Sequence, residues 1–294
     1  MLRLVLQKLN MLPTENKVHW IIESKSSYLD LNLREIYAYR HLLFRLVRKE
    51  FLVNYQQTLL GPFWVLFQPL LTMVTYVFVF NKIIGVSSGS VPPVLFYFAG
   101  IVLWSFFNDS FSSTSKTFRD NIHIFSKVYF PRLIVPFSLI TTQLLRFLIQ
   151  FAFLVVILMY FIIARGFTVH FNLTLLLIPI IPVMVGLMSL SLGLIFSVIT
   201  AKYRDLANFI DIFVRVLLFI TPVIYPLATV KESIRWIVQL NPLTSLFELF
   251  RYSLLGEGSV SAPQLLYSFA FMIISLLTAI LLFNKQGSKL IDVI

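Results

Sequence analysis

Long apolar runs, separated by short polar and basic segments, dominate the pattern along the chain. A helix that crosses a membrane needs about 20 apolar residues, because each residue advances it by about 1.5 Å. Six runs are long enough, and we predict membrane-spanning helices over residues 60–80, 93–113, 138–163, 173–199, 209–227 and 262–283. The chain then divides into an N-terminal segment (1–58), a transmembrane domain (59–284) and a short tail (285–294).

Two further apolar segments are too short to cross a membrane. Residues 34–55 place apolar side chains on one helical face and basic ones on the other, which predicts an amphipathic helix in the inner membrane surface. Residues 230–258 follow the fifth predicted span. Within them, Asn241 is a favoured helix-capping residue and Pro242 suits the first helical position. We predict a helical hairpin that re-enters the outer leaflet.

Composition agrees with a membrane protein, because 58% of the residues are hydrophobic and only 13% are charged, against about 25% in soluble domains. The net charge of +11 has a topological explanation, since Lys and Arg concentrate in cytosolic loops. With the N-terminus inside, 17 basic residues are cytosolic and five are external. We therefore predict an all-α integral membrane protein with six spans and both termini in the cytosol.

Catalytic and cofactor motifs are missing from the sequence. It contains no G-x-x-x-x-G-K-S/T loop, no cysteine and no histidine pair at metal-ligand spacing, so we expect no enzyme, no metal and no cofactor in this chain. Charged residues inside predicted spans are costly and are therefore of interest. Asp211 and Arg215, four residues apart, are expected to neutralise each other, and Arg146 to extend toward the cytosolic surface.

Aromatic side chains recur along the first two predicted spans. In the second span, three rings repeat at intervals of seven residues. Ring faces can stack on the C–H faces of sugars while the hydroxyl groups stay hydrated, so an aromatic passage suits a sugar chain. Ordinary helix packing is the alternative for each residue. The candidate lining residues are Trp64, Phe67, Phe78, Tyr97, Trp104, Asn108 and Phe111.

Five segments, in order along the chain, carry a family resemblance. They are NYQQTLLGPFWVLFQPLL (54–71), KVYFPRLIVP (127–136), YRDL (203–206), TPVIYP (221–226) and LNPLTSLFELFRYSLLG (240–256). With them the chain resembles the membrane subunit of polysaccharide-exporting ABC transporters, in the type-2 permease family, whose members export lipid-linked O-antigen, capsule or teichoic acid. The resemblance implies a homodimeric channel in the bacterial inner membrane and two separate ATPase subunits that hold ATP and Mg.

The cytosolic stretch 116–132 is predicted to couple this chain to its ATPase subunit. Tyr129 and Phe130 would fill a cleft on the partner, as interface anchors commonly do, while Lys127 and Arg132 would meet acidic groups. The alternative is a loop whose charges only set topology. The candidate coupling residues, which include part of the YRDL segment, are Asn121, Lys127, Tyr129, Phe130, Pro131, Arg132, Tyr203, Arg204 and Asp205.

The external hairpin is predicted to close the outer mouth of the channel between transport events. The candidate gate residues are Asn241, Pro242, Glu248 and Arg251. Glu248 and Arg251 are three residues apart, so we expect an exposed ion pair worth at most about 1 kcal/mol.

Other functions remain open at this stage. A permease that exports a drug or a lipid is the nearest alternative. A secondary transporter would favour paired charges at mid-membrane and an internal repeat, and a membrane-embedded glycan enzyme would need facing carboxylates or a histidine site. We expect the partners to be a second copy of the chain, the ATPase subunit, a lipid-linked polysaccharide and membrane lipid, but not nucleic acid.

Overall fold

A computed structural model of the chain describes residues 33–121, 130–169, 173–203 and 205–293. Within these ranges every regular element is a helix. In chain order the α-helices are α1 (Leu33–Ala38), α2 (Arg40–Val53), α3 (Trp64–Tyr76), α4 (Pro93–Ser115), α5 (Thr117–Asp120), α6 (Ile134–Arg165), α7 (Ile180–Lys202), α8 (Leu206–Ile220), α9 (Glu232–Leu240), α10 (Leu243–Leu255) and α11 (Ala262–Val293). The 3₁₀ segments are Gly61–Phe63, Leu173–Leu177 and Leu227–Thr229, and a π-helical segment, Val77–Ile83, continues α3.

Five helical segments are long and apolar enough to cross a membrane, and they correspond to the first, second, third, fourth and sixth predicted spans. They are Gly61–Ile83, Pro93–Ser115, Ile134–Arg165, Leu173–Lys202 and Ala262–Phe283. Pro69 lies inside α3, as predicted, and the helix continues past it. The structure therefore bears out an all-helical membrane protein with at least these five spans in the described residues.

The fifth predicted span, 209–227, is not one continuous helix. Helix α8 has 15 residues and ends at Ile220. Thr221 is extended, with φ −80° and ψ 137°, because the following Pro222 disfavours helical backbone at the residue before it. The sequence prediction placed Pro222 inside the span, whereas the structure places it in the irregular segment 221–226 that follows the helix.

Helix α4 is the centre of the fold. In the most apolar stretch of α4, 78% of the residues are buried, whereas the corresponding share in the other four spans is 17–39%. It packs against α3, α6, α7, α8 and α10. The other spans therefore keep apolar surface for lipid or for another subunit, while α4 is enclosed by its own chain.

The predicted amphipathic helix is present as α1 and α2, with a break at Tyr39. Its basic face is exposed, as expected. Its apolar face packs on α6 and on a hydrophobic cluster around Phe118, Phe130 and Phe283, separate from the larger cluster around α4, which we call the second hydrophobic cluster. The packed residues are Ile36, Tyr39, Leu42, Leu43 and Leu46, and Val47 is buried.

The segment predicted to form an external hairpin contains two helices, which differ greatly in burial. Helix α9 is mostly exposed, and Val238 is its only buried residue. In α10, every residue except Tyr252 is buried, and the helix packs against α4, α7 and α11. Helix α10 is therefore part of the core.

Candidate functional site

A cavity of about 430 Å³, which we call the central cavity, lies between α3, α4 and α6. The connection between α2 and α3 contributes Tyr55 to the lining, and the segment after α8 contributes Val223. Its lining residues are Asn54, Tyr55, Trp64, Val65, Gln68, Pro69, Thr72, Tyr76, Ile101, Trp104, Ser105, Asn108, Asp109, Arg146, Gln150 and Val223.

Aromatic rings and uncharged polar groups share the walls of the central cavity. Trp64 is 40% exposed and meets Phe67 edge-on, with ring centroids 5.4 Å apart. On α6, Gln150 donates from Nε2 to the carbonyl of Val65 at 3.0 Å, which fastens α6 to the start of α3. Mixed walls of this kind offer both ring faces and hydrogen-bonding groups, which is what a sugar with apolar and hydroxylated faces requires.

Two charged side chains, Asp109 and Arg146, also line the central cavity. Arg146 Nη1 donates to Gln143 Oε1 at 3.2 Å, and its guanidinium carbon lies 5.4 Å from the centre of the Tyr55 ring. Asp109 accepts a hydrogen bond from the Asn108 amide at 2.8 Å. Arg146 was expected to extend into the cytosol. The structure instead holds it half-buried in the cavity wall, because Tyr55 and Gln143 engage its guanidinium.

Tyr55 lies just outside the first span, next to this guanidinium. Burial raises the pKa of its phenol, and the positive charge of Arg146 only partly opposes that effect. The ring therefore stays neutral at physiological pH, as a surface for stacking requires.

The other intramembrane charges pair differently from the prediction. Asp211 accepts from Lys116 Nζ at 2.9 Å, across α8 and the end of α4. Arg215 was expected to be its partner, but its side chain is exposed and forms no ion pair with Asp211 in the described residues. The expected neutralisation within one helix is therefore wrong for Asp211, because Lys116 lies closer.

The structure separates the predicted lining residues into two groups. Trp64, Trp104 and Asn108 line the central cavity. Tyr97 and Phe111 are fully buried and do not line it. The spacing of seven residues does not predict which rings line the cavity. Because α4 is enclosed by other helices, the rings along one of its faces meet different neighbours.

Those neighbours explain the burial. Tyr97 packs edge-on against Tyr76 and Phe96. Phe111 stacks on Phe107, meets Phe196 edge-on and lies tilted against Phe213. In the first span, Phe67 is half-buried beside Trp64 and Phe78 is 58% exposed, and neither lines the cavity.

Several cavity residues were not predicted from the sequence, although their spacing along the helices indicates them. Polar or amphipathic side chains recur every four residues in α3, and Gln150 follows Arg146 by four in α6. Residues four apart share a helix face, so this spacing marks a stripe that faces away from lipid. The α3 stripe consists of Trp64, Gln68, Thr72 and Tyr76.

A second polar site, which we call the Arg251 network, is formed around helix α10. Arg251 Nη2 donates to the carbonyl of Val223 at 2.6 Å, and the guanidinium lies 3.9 Å from the centre of the Phe96 ring. Nη1 is 3.6 Å from Glu248 Oε1. Glu248 also accepts from the amide of Ser259 at 2.8 Å. The network thus joins α10 to the segment after α8, to α4 and to the loop before α11.

The Arg251 network corrects the expectation of an exposed ion pair, since the two side chains are only 2% and 3% exposed. A guanidinium keeps its proton at neutral pH, so Arg251 carries its charge inside the fold. Gly100 permits this arrangement. A Cβ there would lie 2.8 Å from both Arg251 Nη2 and the carbonyl oxygen of Val223.

The remaining gate candidates fasten the hairpin. Asn241 Oδ1 accepts from the amide of Leu243, which confirms its predicted role at the start of α10, and its Nδ2 donates to the Thr221 hydroxyl at 2.8 Å. Pro242 has helical backbone, with φ −66° and ψ −16°.

Comparison with known proteins covers the part of the chain that contains both sites. Residues 41–255 match the profile of the ABC-2 type transporter family. The chain belongs to this family. It is similar to the O-antigen export system permease protein RfbA of Myxococcus xanthus, with 28% identity over 87% of this chain and 96% of the relative. Two Klebsiella pneumoniae proteins of the same name are 25% and 26% identical, over 86% of this chain and 95% of each relative.

In this ABC-2 permease, the structure corrects part of the predicted coupling segment. Phe130 is 7% exposed and packs in the second hydrophobic cluster with Phe118 and Phe283. Its ring therefore belongs to the core of the permease and is not available to fill a cleft on a partner. Pro131 and Arg132 follow it and are half-buried.

The other coupling candidates within the described residues lie at or near the C-terminal ends of α5 and α7. Asn121 is half-buried and donates from its amide to the carbonyl of Thr117 at 3.1 Å. Tyr203 is 51% exposed, with Lys202 Nζ 5.2 Å from its ring centre, and Asp205 is exposed. Lys127, Tyr129 and Arg204 lie outside the described residues.

Proposed function

We propose that this permease is the transmembrane subunit of an ATP-driven exporter that moves a lipid-linked polysaccharide of the O-antigen type across the bacterial inner membrane. The observation that carries the proposal is the central cavity, whose walls combine Trp64 and Trp104 with amide, hydroxyl and charged groups. The names of the similar permeases point to the same class of substrate. A sugar chain needs many weak contacts along its path, and this wall supplies them without a deep apolar pocket.

We infer six crossings in each permease. The excess of basic residues at both ends of the chain favours cytosolic termini, and this requires an even number of crossings. Helix α8 is the remaining candidate beside the five long spans. Its 15 residues reach about 22 Å, short of the roughly 30 Å hydrocarbon core. The extended segment after Ile220 and the buried helix α10 complete the outer half of this crossing, and α9 and α10 form a re-entrant hairpin.

ATP hydrolysis belongs to a partner in this proposal. The permease sequence has no phosphate-binding loop, and ABC transporters couple membrane subunits to ATPase subunits. Two permeases form one channel, and each binds one ATPase subunit that holds ATP and Mg. The exposed residues Tyr203 and Asp205, with the stretch 122–129, form the cytosolic contact that receives the movement.

The proposal is tested by removing the two cavity tryptophans. Each aromatic contact contributes about 0.5–1.5 kcal/mol, so Trp64→Ala with Trp104→Ala weakens glycan contacts by about 1–3 kcal/mol, or roughly 5- to 150-fold. We expect export of surface glycan to fall by a comparable factor in cells that depend on this permease. Trp236→Ala is the matched control, because Trp236 is 61% exposed on α9 and lies outside the cavity.

Glycan on the cell surface is measured by immunoblot, together with permease abundance in the membrane. Normal export by the double variant, at normal abundance, would remove the central cavity from the glycan path. Equal losses in the double variant and in Trp236→Ala would reassign the effect to folding.

A further inference from the structure

The cytosolic end of the central cavity contains a cation whose hydrogen-bonding capacity is only partly used. Arg146 donates from Nη1 to Gln143, while its Nε is buried and has no hydrogen-bond partner among the described residues. A guanidinium offers five N–H groups, and its Nε–Nη edge matches the two oxygens of a carboxylate or phosphate. The cavity therefore contains an oriented, incompletely satisfied anion-binding group.

Tyr55 and Gln143 hold this group in place. The Tyr55 ring lies against the guanidinium, and the Gln143 oxygen restrains Nη1. A planar cation restrained on one edge and one face loses less freedom when a ligand binds its other edge. This arrangement differs from a lysine or arginine that moves freely in solvent.

The depth of Arg146 indicates what can reach it. Tyr55 lies between the end of α2 and Gly61, where the first span begins, so it is near the inner membrane surface. On α4, Asp109 is six residues from Ser115, which corresponds to about 9 Å along the helix. The head-group region of each leaflet is about 5–7 Å thick. Arg146 thus lies close to the boundary between head groups and acyl chains, where the phosphates of membrane-anchored molecules are found.

We propose that Arg146 binds the phosphate group of a membrane-anchored molecule at the cytosolic end of the central cavity. The inference rests on the proposed function for its main ligand, the diphosphate that joins a polyprenyl lipid to its sugar chain. The head group of an anionic phospholipid offers the same chemistry and is the second source. In either case the sugar or glycerol portion extends into the cavity toward Trp64 and Trp104.

One acidic group opposes the anion. Asp109 lines the same cavity, and the hydrogen bond from Asn108 holds its carboxylate. Within the described residues, no ion-pair contact within 4.0 Å joins Asp109 to Arg146, so the arginine is not neutralised by direct contact. Removing the carboxylate should therefore strengthen anion binding, while removing the guanidinium should weaken it. The two substitutions should therefore change the affinity for the anion in opposite directions.

Binding is measured on the full-length permease in nanodiscs of phosphatidylcholine, with a polyprenyl diphosphate that carries one N-acetylhexosamine as the probe. We expect Arg146→Gln to weaken the probe's affinity by about 10- to 100-fold, the range for a charge-assisted hydrogen bond, and Arg146→Lys to give an intermediate value. Asp109→Asn should bind the probe more tightly. Arg165→Gln is the matched control, because Arg165 is exposed at the opposite end of the same helix.

Two further measurements separate the possible outcomes. An analogue without phosphate should bind equally to all variants, and thermal unfolding identifies any variant that misfolds. If phosphatidylglycerol in the nanodisc displaces the probe from the wild type but not from Arg146→Gln, the phospholipid head group is the natural occupant of the site. If phosphatidylglycerol leaves the affinity of the wild type for the probe unchanged, the natural occupant is the lipid-linked saccharide.

Unchanged diphosphate affinity in both Arg146 variants would overturn the proposal, and so would equal losses for the neutral analogue. Weaker binding by Asp109→Asn would overturn the electrostatic argument. The export test with the tryptophan variants does not depend on Arg146. A failed phosphate site therefore leaves the glycan path intact, and a failed glycan path is detected separately.

Discussion

Removing one charge from the Arg251 network should destabilise the permease far more than removing both. In Glu248→Gln the side chain keeps its size and can still accept a hydrogen bond from Ser259, but the guanidinium loses its counter-charge in a site that is 2% exposed. Because an uncompensated charge in the protein interior is strongly unfavourable, the main effect is expected to come from Arg251 rather than from the lost hydrogen bond.

The magnitude follows from the geometry. Two unit charges 3.6 Å apart attract by about 4–5 kcal/mol at an effective dielectric constant of 20. Breaking a buried pair by removing one partner costs about 3–5 kcal/mol, so we expect Glu248→Gln to lower the free energy of unfolding by about 3 kcal/mol. Arg251→Met should cost a similar amount, since it leaves the carboxylate buried and also frees the Val223 carbonyl. The double variant has no unpaired charge and should be more stable than either single variant.

The assay is a double-mutant cycle, with the free energy of unfolding measured by denaturant titration in mixed micelles and followed by tryptophan fluorescence. Thr229→Ala is the control, because its hydroxyl bonds only locally, to Pro226, at an exposed site of the same connection. If the loss in the double variant equals the sum of the two single losses within about 0.5 kcal/mol, the reasoning is refuted, because the effects of independent sites add and those of coupled sites do not. A loss below about 1 kcal/mol in both single variants would restore the expectation of an exposed pair.

Three further predictions concern packing and coupling. Phe130→Ala should destabilise the permease by about 3–5 kcal/mol because it empties a core site, which thermal unfolding would detect. Tyr129→Ala should separate ATP hydrolysis from export in the complex with the ATPase subunit, and normal export by this variant would reduce the segment to a connector. Gly100→Ala should lower the melting temperature by forcing Arg251 away from Val223. An unaltered melting temperature would show that the backbone there can shift.

The sequence predicted the elements whose signal lies within one helix. Five spans, the amphipathic helix and the start of α10 at Asn241 all follow from apolar length, helical periodicity and capping chemistry. The prediction of the fifth span as one helix was wrong, because mean hydropathy is insensitive to a single proline. The steric effect of Pro222 on the backbone of Thr221 decides where the helix ends.

The candidate sites were harder to predict, because their residues come from different helices. Trp104 and Tyr97 share a stripe on α4, yet only Trp104 meets the cavity, because that depends on which helix lies opposite each ring. Phe130 was predicted as an interface anchor because it pairs with Tyr129 between Lys127 and Arg132, whereas its burial depends on a cluster that includes the distant Phe283. Ion pairs are hard to predict for the same reason, since Asp211 pairs with Lys116 at the end of another helix.

The distribution of burial limits how the central cavity can widen to admit a sugar chain. Helix α4 forms one wall and is enclosed on all sides, so its displacement would break close-packed contacts with five helices. Helix α3 is held more loosely, because only 17% of the most apolar stretch of its span is buried. The bond from Gln150 on α6 to the carbonyl of Val65 fastens its start. The segment after α8 is held more firmly, since Thr221 and Val223 are buried and accept hydrogen bonds from Asn241 and Arg251. Movement of α3, with α4 as the fixed wall, is therefore the least costly way to enlarge the cavity.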